Sequence, residues 1–436
     1  MDGLIERGHV VLAALLVGGQ EKLPAGGIDA YGAIPVRTGS DARDELSKAL
    51  QELRPDAVID LSDEPVLDYR RRMELISIAL RHQVAYEGAD FRFTPPPRPR
   101  LATIPSMAVI GTGKRTGKTA ISGFAARALR DAGRRPVVLA MGRGGPEHPE
   151  VLRGDEATLE PADLLAMAEQ GKHAASDYIE DALLARVPTV GCRRCGGGLA
   201  GGVEISNVPA GVEVANDLGG DLLLLEGSGS AIPPVHADTT CLVMPASIPE
   251  EYVAGYLGLY RLLLADFVVV TMCEEPFGSS SKVSSLTSLI QDAWRPGRRD
   301  EDKREIPVVR TVFRPGPTRS VDGTRAFVAT TAPETAGPSM KSHLEEVHGC
   351  EITGISHALS DRTKLREDLR DMGGADLLLC EIKAAAIDVA TRQALDQGMD
   401  VVYMDNVPLA TDDADLSDVF VAAADQARSR FEEVSR

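Results

Sequence analysis

The stretch from Ser106 to Leu129, S-M-A-V-I-G-T-G-K-R-T-G-K-T-A-I-S-G-F-A-A-R-A-L, constrains this chain more than any other. A short apolar strand, Met107 to Ile110, runs into a glycine-broken loop. Gly117-Lys118-Thr119 then opens a helix with small and apolar residues at Ile121, Ala125, Ala128 and Leu129. Strand, glycine loop and helix in that order are the context a phosphate-binding loop requires. Glycines let successive backbone N–H groups turn toward one centre, and the helix N-terminus adds its dipole. Lys118 and Thr119 then stand where they reach a terminal phosphate and its Mg²⁺. The segment predicts a nucleoside-triphosphate site with Mg²⁺.

The usual spacing places the first glycine five positions before Gly117, at Thr112, whereas this chain has Gly111 and Gly113 on either side. The loop is therefore one residue longer: Gly111, Thr112, Gly113, Lys114, Arg115, Thr116, Gly117, Lys118 and Thr119. It resembles the G-T-x-x-x-x-G-K-T loop of the dethiobiotin synthetase and cobyrinate amidase group, P-loop proteins that mostly activate carboxylates or phosphates. The plain alternative is a glycine-rich turn with an incidental Lys-Thr. Agreement of motif and context favours the phosphate loop.

At 436 residues the chain exceeds one ordinary core, and about 150 residues per domain suggests roughly three. The predicted class is α/β and multi-domain, a P-loop parallel-sheet core flanked by Rossmann-like units. A net charge of −18 argues against a nucleic-acid surface, because a phosphate backbone is repelled by such a field. Any polyanionic substrate must instead meet a local cluster of Arg and Lys. No stretch approaches the roughly 20 apolar residues of a membrane span, so a cytoplasmic protein is expected. Six cysteines are spread along the chain and read as reduced thiols, only Cys192-Arg193-Arg194-Cys195 having a metal-like spacing.

Residues 1–94 alternate strand-like runs (Val10 to Val17, Ala57 to Leu61, Val84 to Tyr86) with helix-like ones (Asp41 to Leu53, Val66 to Arg81), which predicts a small parallel sheet. Met1 to His9 reads as the tail of a helix that should follow an earlier strand. Asp60, Asp63 and Glu64 follow a strand, and Gly18-Gly19 ends the first visible one, where such folds place ligands. A substrate cradle with Arg70, Arg71 and Arg72 nearby is one reading, and turns with a solvated helix face is the other. The proline run in residues 95–105 is the clearest linker. A P-loop domain over 106–300 and a C-terminal α/β domain over 301–436 complete the expected division.

Within the P-loop region, the strand Arg135 to Met141 delivers Gly142-Arg143-Gly144-Gly145-Pro146, placing Arg143 beside the phosphate loop as a guanidinium for a transferring phosphoryl group. Helices are expected over Leu159 to Gln170 and Ser176 to Arg186. The glycine-dense Gly191 to Gly202, carrying Arg193 and Arg194, reads as an anion-binding lid. A buried strand, Asp221 to Leu225, ends in Glu226-Gly227-Ser228-Gly229-Ser230, and a carboxylate at that tip suits Mg²⁺ beside Thr119. A strand at Phe267 to Thr271 precedes Cys273-Glu274-Glu275-Pro276, an adenine-side candidate. Beyond it, strands at Pro307 to Phe313, Arg325 to Thr330, Glu351 to Ile355, Asp376 to Cys380 and Val401 to Met404 alternate with helices, again predicting a parallel unit. His357, Glu381 to Lys383 and Asp405-Asn406 lie at or past strand ends, where structural roles are the simpler expectation.

Taken with G-R-G-G-P at Gly142, G-C-R-R-C-G-G-G at Gly191, L-E-G-S-G-S at Leu225 and D-L-S-D-E-P at Asp60, the chain resembles the cyclic 2,3-diphosphoglycerate synthetase family over nearly its whole length. The resemblance implies closure of 2,3-diphosphoglycerate into an intramolecular phosphoanhydride with ATP and Mg²⁺, and a homodimer. It assigns catalysis to Lys118, Arg143, Arg193 and Arg194, with Lys114 and Arg115 as further anion contacts and the metal on Thr119 and Glu226. The family is expected to begin with a strand and an acidic substrate-binding segment that this chain lacks. Two other readings of the nucleotide motif stay open: a carboxylate-activating, amide-forming ligase, and a nucleotide-switched regulatory or assembly protein.

Overall fold

The computed structural model describes residues 1–18, 32–171, 176–295 and 305–435. Two compact units make up the chain. One comprises Met1–Pro97, Ile248–Phe267 and Ser281–Pro307, the other Arg98–Ser247, Val268–Ser280 and Val308–Arg436.

The first unit holds two small sheets where one parallel sheet was expected. Strands β1 (Ala14–Leu16) and β2 (Val36–Thr38) pair in parallel. In the second sheet β3 (Ala57–Ile59) runs parallel to β4 (Ala85–Glu87), and β4 is antiparallel to β5 (Arg92–Phe93). Local chemistry sets the helices: Asp41 caps Ala42–Leu53 by accepting from the Arg43 N–H, and Asp68 caps Tyr69–Arg81 through Arg71. Asp60 is spent inside the unit, accepting from Arg72 Nε at 2.8 Å, the Tyr86 hydroxyl at 3.0 Å and the Ser62 N–H at 2.9 Å. That satisfied network supports a structural role over a substrate cradle. Gly19 lies outside the described residues.

The second unit is built on a 13-stranded sheet. Its strands are β6 (Ser106–Gly111), β7 (Pro136–Gly142), β8 (Glu150–Arg153), β9 (Pro188–Cys195), β10 (Ile205–Ser206), β11 (Leu222–Glu226), β12 (Thr239–Pro245), β13 (Phe267–Thr271), β14 (Val308–Pro317), β15 (Arg325–Ala329), β16 (Glu351–Ser356), β17 (Leu377–Glu381) and β18 (Asp400–Ala410). They lie in the order β10-β9-β7-β11-β6-β12-β13-β14-β18-β17-β15-β16, with β8 on β9. Around the phosphate loop the pairing is parallel, β9 with β7, β7 with β11, β11 with β6 and β6 with β12. The central strands are buried on both faces, which is why they read as unbroken apolar runs. Each of Leu223, Leu224 and Leu225, fully buried, contributes about 1.5–3 kcal/mol.

Strands on both sides of residue 300 pair with one another, β13 with β14. The expected all-parallel C-terminal sheet is corrected at β14, which runs antiparallel to β18 from Thr311↔Ala410 to Pro317↔Met404. Beyond β18 the pairing is parallel again. The Ser-rich segment after Gly278 forms a helix, Ser280–Trp294. The helix expected over Ala384 to Gln397 begins as a π-turn, Ala386–Thr391, before the α-helix Arg392–Asp396.

Candidate active site

β6 ends at Gly111, and the loop that follows is pinned on both sides: the Thr112 N–H donates to Val243 O at 3.2 Å, and Thr271 Oγ1 donates to Thr116 O at 2.8 Å. Arg115 (φ 59°) and Gly117 (φ 83°) both take left-handed backbone, which curls successive N–H groups into a concave anion nest. Gly117 is required twice over, since a Cβ there would also overlap the Phe313 ring from β14. A Cβ at Gly111 would lie 3.1 Å from Thr116 Oγ1 and 3.4 Å from Lys118 Cδ, so this glycine lets the lysine fold back over the loop. Gly113 faces open space. Lys118 begins the helix Lys118–Asp131, as expected.

Glu226 ends β11 between Val109 and Ala140 on the flanking strands and is fully buried. Lys118 Nζ stands 3.7 Å from its Oε1, yet neither carboxylate oxygen receives a hydrogen bond. Burial raises its pKa, and the Lys118 charge opposes that rise. Orphaned hard oxygens beside Thr119 fit a magnesium ion, which takes one or two carboxylates and fills its remaining positions with water and phosphate.

Two acidic residues of the helix Asp177–Ala185 escaped the sequence reading. Glu180 is buried with its pKa pushed up to about 8 by burial, against the pull of Lys383, whose Nζ is 3.8 Å away. The Asp181 carboxyl is raised well above its ordinary value by burial and by Glu226. Three acids at 177, 180 and 181 share one helical face, and that spacing was the available signal.

The basic residues require a correction. Cys192, Arg193 and Arg194 belong to β9, paired with β7 and β8, so the glycine-rich segment starts four residues after Cys192, at Gly196. Arg194 is 4% exposed and donates to Gly196 O at 2.8 Å, Ser228 O at 2.8 Å and Ser228 Oγ at 3.2 Å. Burial and the nearby Arg143 lower its pKa. Gly229 lies between two cations, its Cβ position 3.5 Å from Arg194 Nη2 and 3.6 Å from Lys114 Cγ. Arg194 and Lys114 thus flank Gly229 just past the tip of β11, beside the phosphate loop, with Arg143 near enough to Arg194 to act on its charge. Arg193 instead donates from Nε to Gly145 O at 2.7 Å and braces the Gly142–Pro146 turn. The exposed Arg115 contributes its backbone curvature.

The zinc spacing also fails. Cys192 is buried so closely against Gly211 that a Cβ there would overlap its sulfur, while Cys195 is exposed. Among the described residues no three His, Cys, Asp or Glu side chains form a metal cluster. At the adenine-side candidate, Glu274 receives a bidentate pair from Arg314, at 2.6 and 2.7 Å. His357 Nδ1 meets Ala332 O at 2.8 Å, and Glu381 accepts from Thr330, Thr331 and Asn406, all structural engagements.

A phosphate nest on a parallel sheet, with an acid at the adjoining strand tip, defines a P-loop nucleotide-binding α/β protein. Family models describe the same chain in three parts: the cyclic 2,3-diphosphoglycerate synthetase N-terminal domain over residues 1–94, its P-loop domain over 106–296 and its C-terminal domain over 317–407. The cyclic 2,3-diphosphoglycerate synthetase of Rubrobacter xylanophilus is 47% identical over 399 residues, covering 92% of this chain and 88% of the relative. That of Methanothermus fervidus is 41% identical over 431 residues, covering 97% and 92%. Among solved structures, the hydrogenase maturation factor HypB of Archaeoglobus fulgidus aligns at 11% identity over 56% of this chain and 88% of its own, with a TM-score of 0.29, a likeness too slight to inform function. The chain belongs to the cyclic 2,3-diphosphoglycerate synthetase family and is an enzyme. No helix among the described residues is long and apolar enough to cross a membrane.

Proposed function

We propose that the enzyme uses ATP and Mg²⁺ to close a phosphoanhydride between the two phosphates of 2,3-diphosphoglycerate, or of a close phosphorylated-acid analogue. The observation that carries this reading is the placement of Lys114 and Arg194 around Gly229, with Arg194 bonded to Ser228 and Arg143 near Arg194, next to a loop shaped for the β and γ phosphates.

ATP would lie with its β and γ phosphates on Gly111 to Thr119, Lys118 compensating their charge. Mg²⁺ would be held by Thr119 and Glu226, and when bound it would supply neutralisation of the phosphate charge. The second substrate is also highly anionic. Like charges about 4 Å apart repel by roughly 1–4 kcal/mol per pair across the dielectric range of a protein surface, so the guanidinium and ammonium groups must cancel several such terms. A substrate phosphate oxygen would attack the γ-phosphorus and break its bond to ADP. The neighbouring phosphate of the same molecule would then attack the substrate phosphorus that now carries the transferred group, breaking its bond to that group, forming the cyclic anhydride and releasing the former γ-phosphate as inorganic phosphate. The protein's share is alignment of the two phosphates and stabilisation of charge.

The reading is tested by ATP turnover against a panel of phosphorylated acids. Stimulation confined to bis-phosphorylated acids supports it. Turnover dependent on ammonia or an amine would replace it with an amide-forming ligase, and dependence on a protein partner would replace it with a nucleotide switch.

A further inference from the structure

We propose that Asp181 is a second protein carboxylate of the divalent-cation site, acting with Glu226 and Thr119. The inference rests on the nucleotide reading above and adds to it a residue from a different element.

Asp181 sits on the inward face of the helix Asp177–Ala185 and is 1% exposed. Its Oδ1 lies 3.6 Å from where a Cβ of Gly123 would stand, so it rests against the helix that the phosphate loop opens. Its Oδ2 receives no hydrogen bond, and neither do the two oxygens of Glu226. The hydroxyls of Thr116 and Ser122, also buried, lack partners as well. Buried polar atoms in folded proteins are nearly always satisfied, so five orphans converging on one loop and its helix mark a ligand's place.

The charges sharpen the point. Asp181 and Glu226 lie within reach of one another, and Lys118 Nζ stands 3.7 Å from Glu226 Oε1. Arg127 is engaged with Asp405 at 2.5 Å, and Lys383 faces Glu180. Two neighbouring buried carboxylates with one ammonium, beside Glu226, are costly to bury. A divalent cation removes that cost, and its hard-oxygen preference matches two carboxylates and a threonine hydroxyl. Among the described residues no three His, Cys, Asp or Glu side chains form a metal-holding group, so two carboxylates and a hydroxyl would leave positions for nucleotide phosphate and water.

The test is binding of Mn²⁺, read by electron paramagnetic resonance, to the full-length enzyme with a non-hydrolysable ATP analogue, together with analogue affinity in chelator. Asp181→Asn should weaken Mn²⁺ binding about ten-fold or more. Metal-free analogue affinity should not fall, because the change removes a negative charge and leaves the loop intact. Asp181→Ala supplies the same comparison should the Asn variant fail to fold. Mn²⁺ bound by Asp181→Asn as tightly as by wild type would overturn the proposal, the two carboxyls then holding a proton between them. Wild-type enzyme that binds the analogue without taking up Mn²⁺ would overturn it too, and wild type that binds no analogue would overturn the nucleotide reading itself.

Discussion

Lys118 Nζ lies 3.7 Å from Glu226 Oε1, with 8% and 0% of their side chains exposed. Each residue is a local consequence of its strand tip: one opens the helix after β6, the other ends β11 beside it. Burial makes the pair interdependent, because removing either charge strands the other away from water.

Lys118→Ala is accordingly expected to lower ATP turnover by on the order of 10²-fold or more. It should also reduce thermal stability, since Glu226 is left buried and unpaired. Steady-state turnover and a melting curve on the same preparation check both, and an unchanged rate would remove Lys118 from the phosphate site.

Gly117→Ala should damage the loop through two separate effects, the left-handed φ of 83° and the overlap with Phe313. The backbone effect alone costs on the order of 1–3 kcal/mol. Trimming the ring in a Gly117→Ala, Phe313→Leu double variant should restore only part of the lost analogue affinity, because φ is untouched. Full restoration would show that only the overlap mattered.

Arg194 and Arg193 should separate on mutation. Arg194→Ala deletes hydrogen bonds to Ser228 and Gly196 and a cation at the tip of β11, and should raise the KM for the phosphorylated acid well above any change for ATP. Arg194→Lys should rescue little, a point charge being no substitute for the planar fork. Arg193→Ala should act more weakly, through the Gly142–Pro146 turn. Equal changes in the two KM values for Arg194→Ala would contradict the substrate assignment.

His82 links stability to pH. It is half-buried with Nε2 2.9 Å from Ser47 Oγ, and burial, then Arg81, hold its pKa below the ordinary 6.5. The unfolded chain therefore binds its proton more readily, so the stabilisation is present above pH 6.5 and is lost as pH falls through the lowered value. Thermal melts from pH 7.5 to 5 should show this slope in wild type and a shallower one in His82→Gln. Identical slopes would assign the acid sensitivity elsewhere.

What could be read from the sequence divides along local and non-local lines. Gly111 to Thr119 and Glu226 were legible because a glycine loop between strand and helix, and an acid at the end of L-L-L-L, are local patterns with one mechanical meaning. Arg193 and Arg194 were misplaced because their neighbouring glycines outweighed the T-V-G-C run that continues as β9. β12, Thr239–Pro245, was overlooked after the prolines at 233 and 234. The antiparallel turn of β14 against β18 was illegible, since apolar periodicity carries no direction. Glu180 and Asp181 were hidden by the rule that helical acids face water.

The central claim is that ATP and a bis-phosphorylated acid react side by side at this loop. Phosphorus NMR of a mixture of the enzyme, Mg²⁺, ATP and 2,3-diphosphoglycerate tests it most directly. The account predicts that the substrate's phosphomonoester resonances give way to two mutually coupled anhydride resonances, with one ADP and one inorganic phosphate per product. ADP accumulating while the substrate resonances stay unchanged would contradict it.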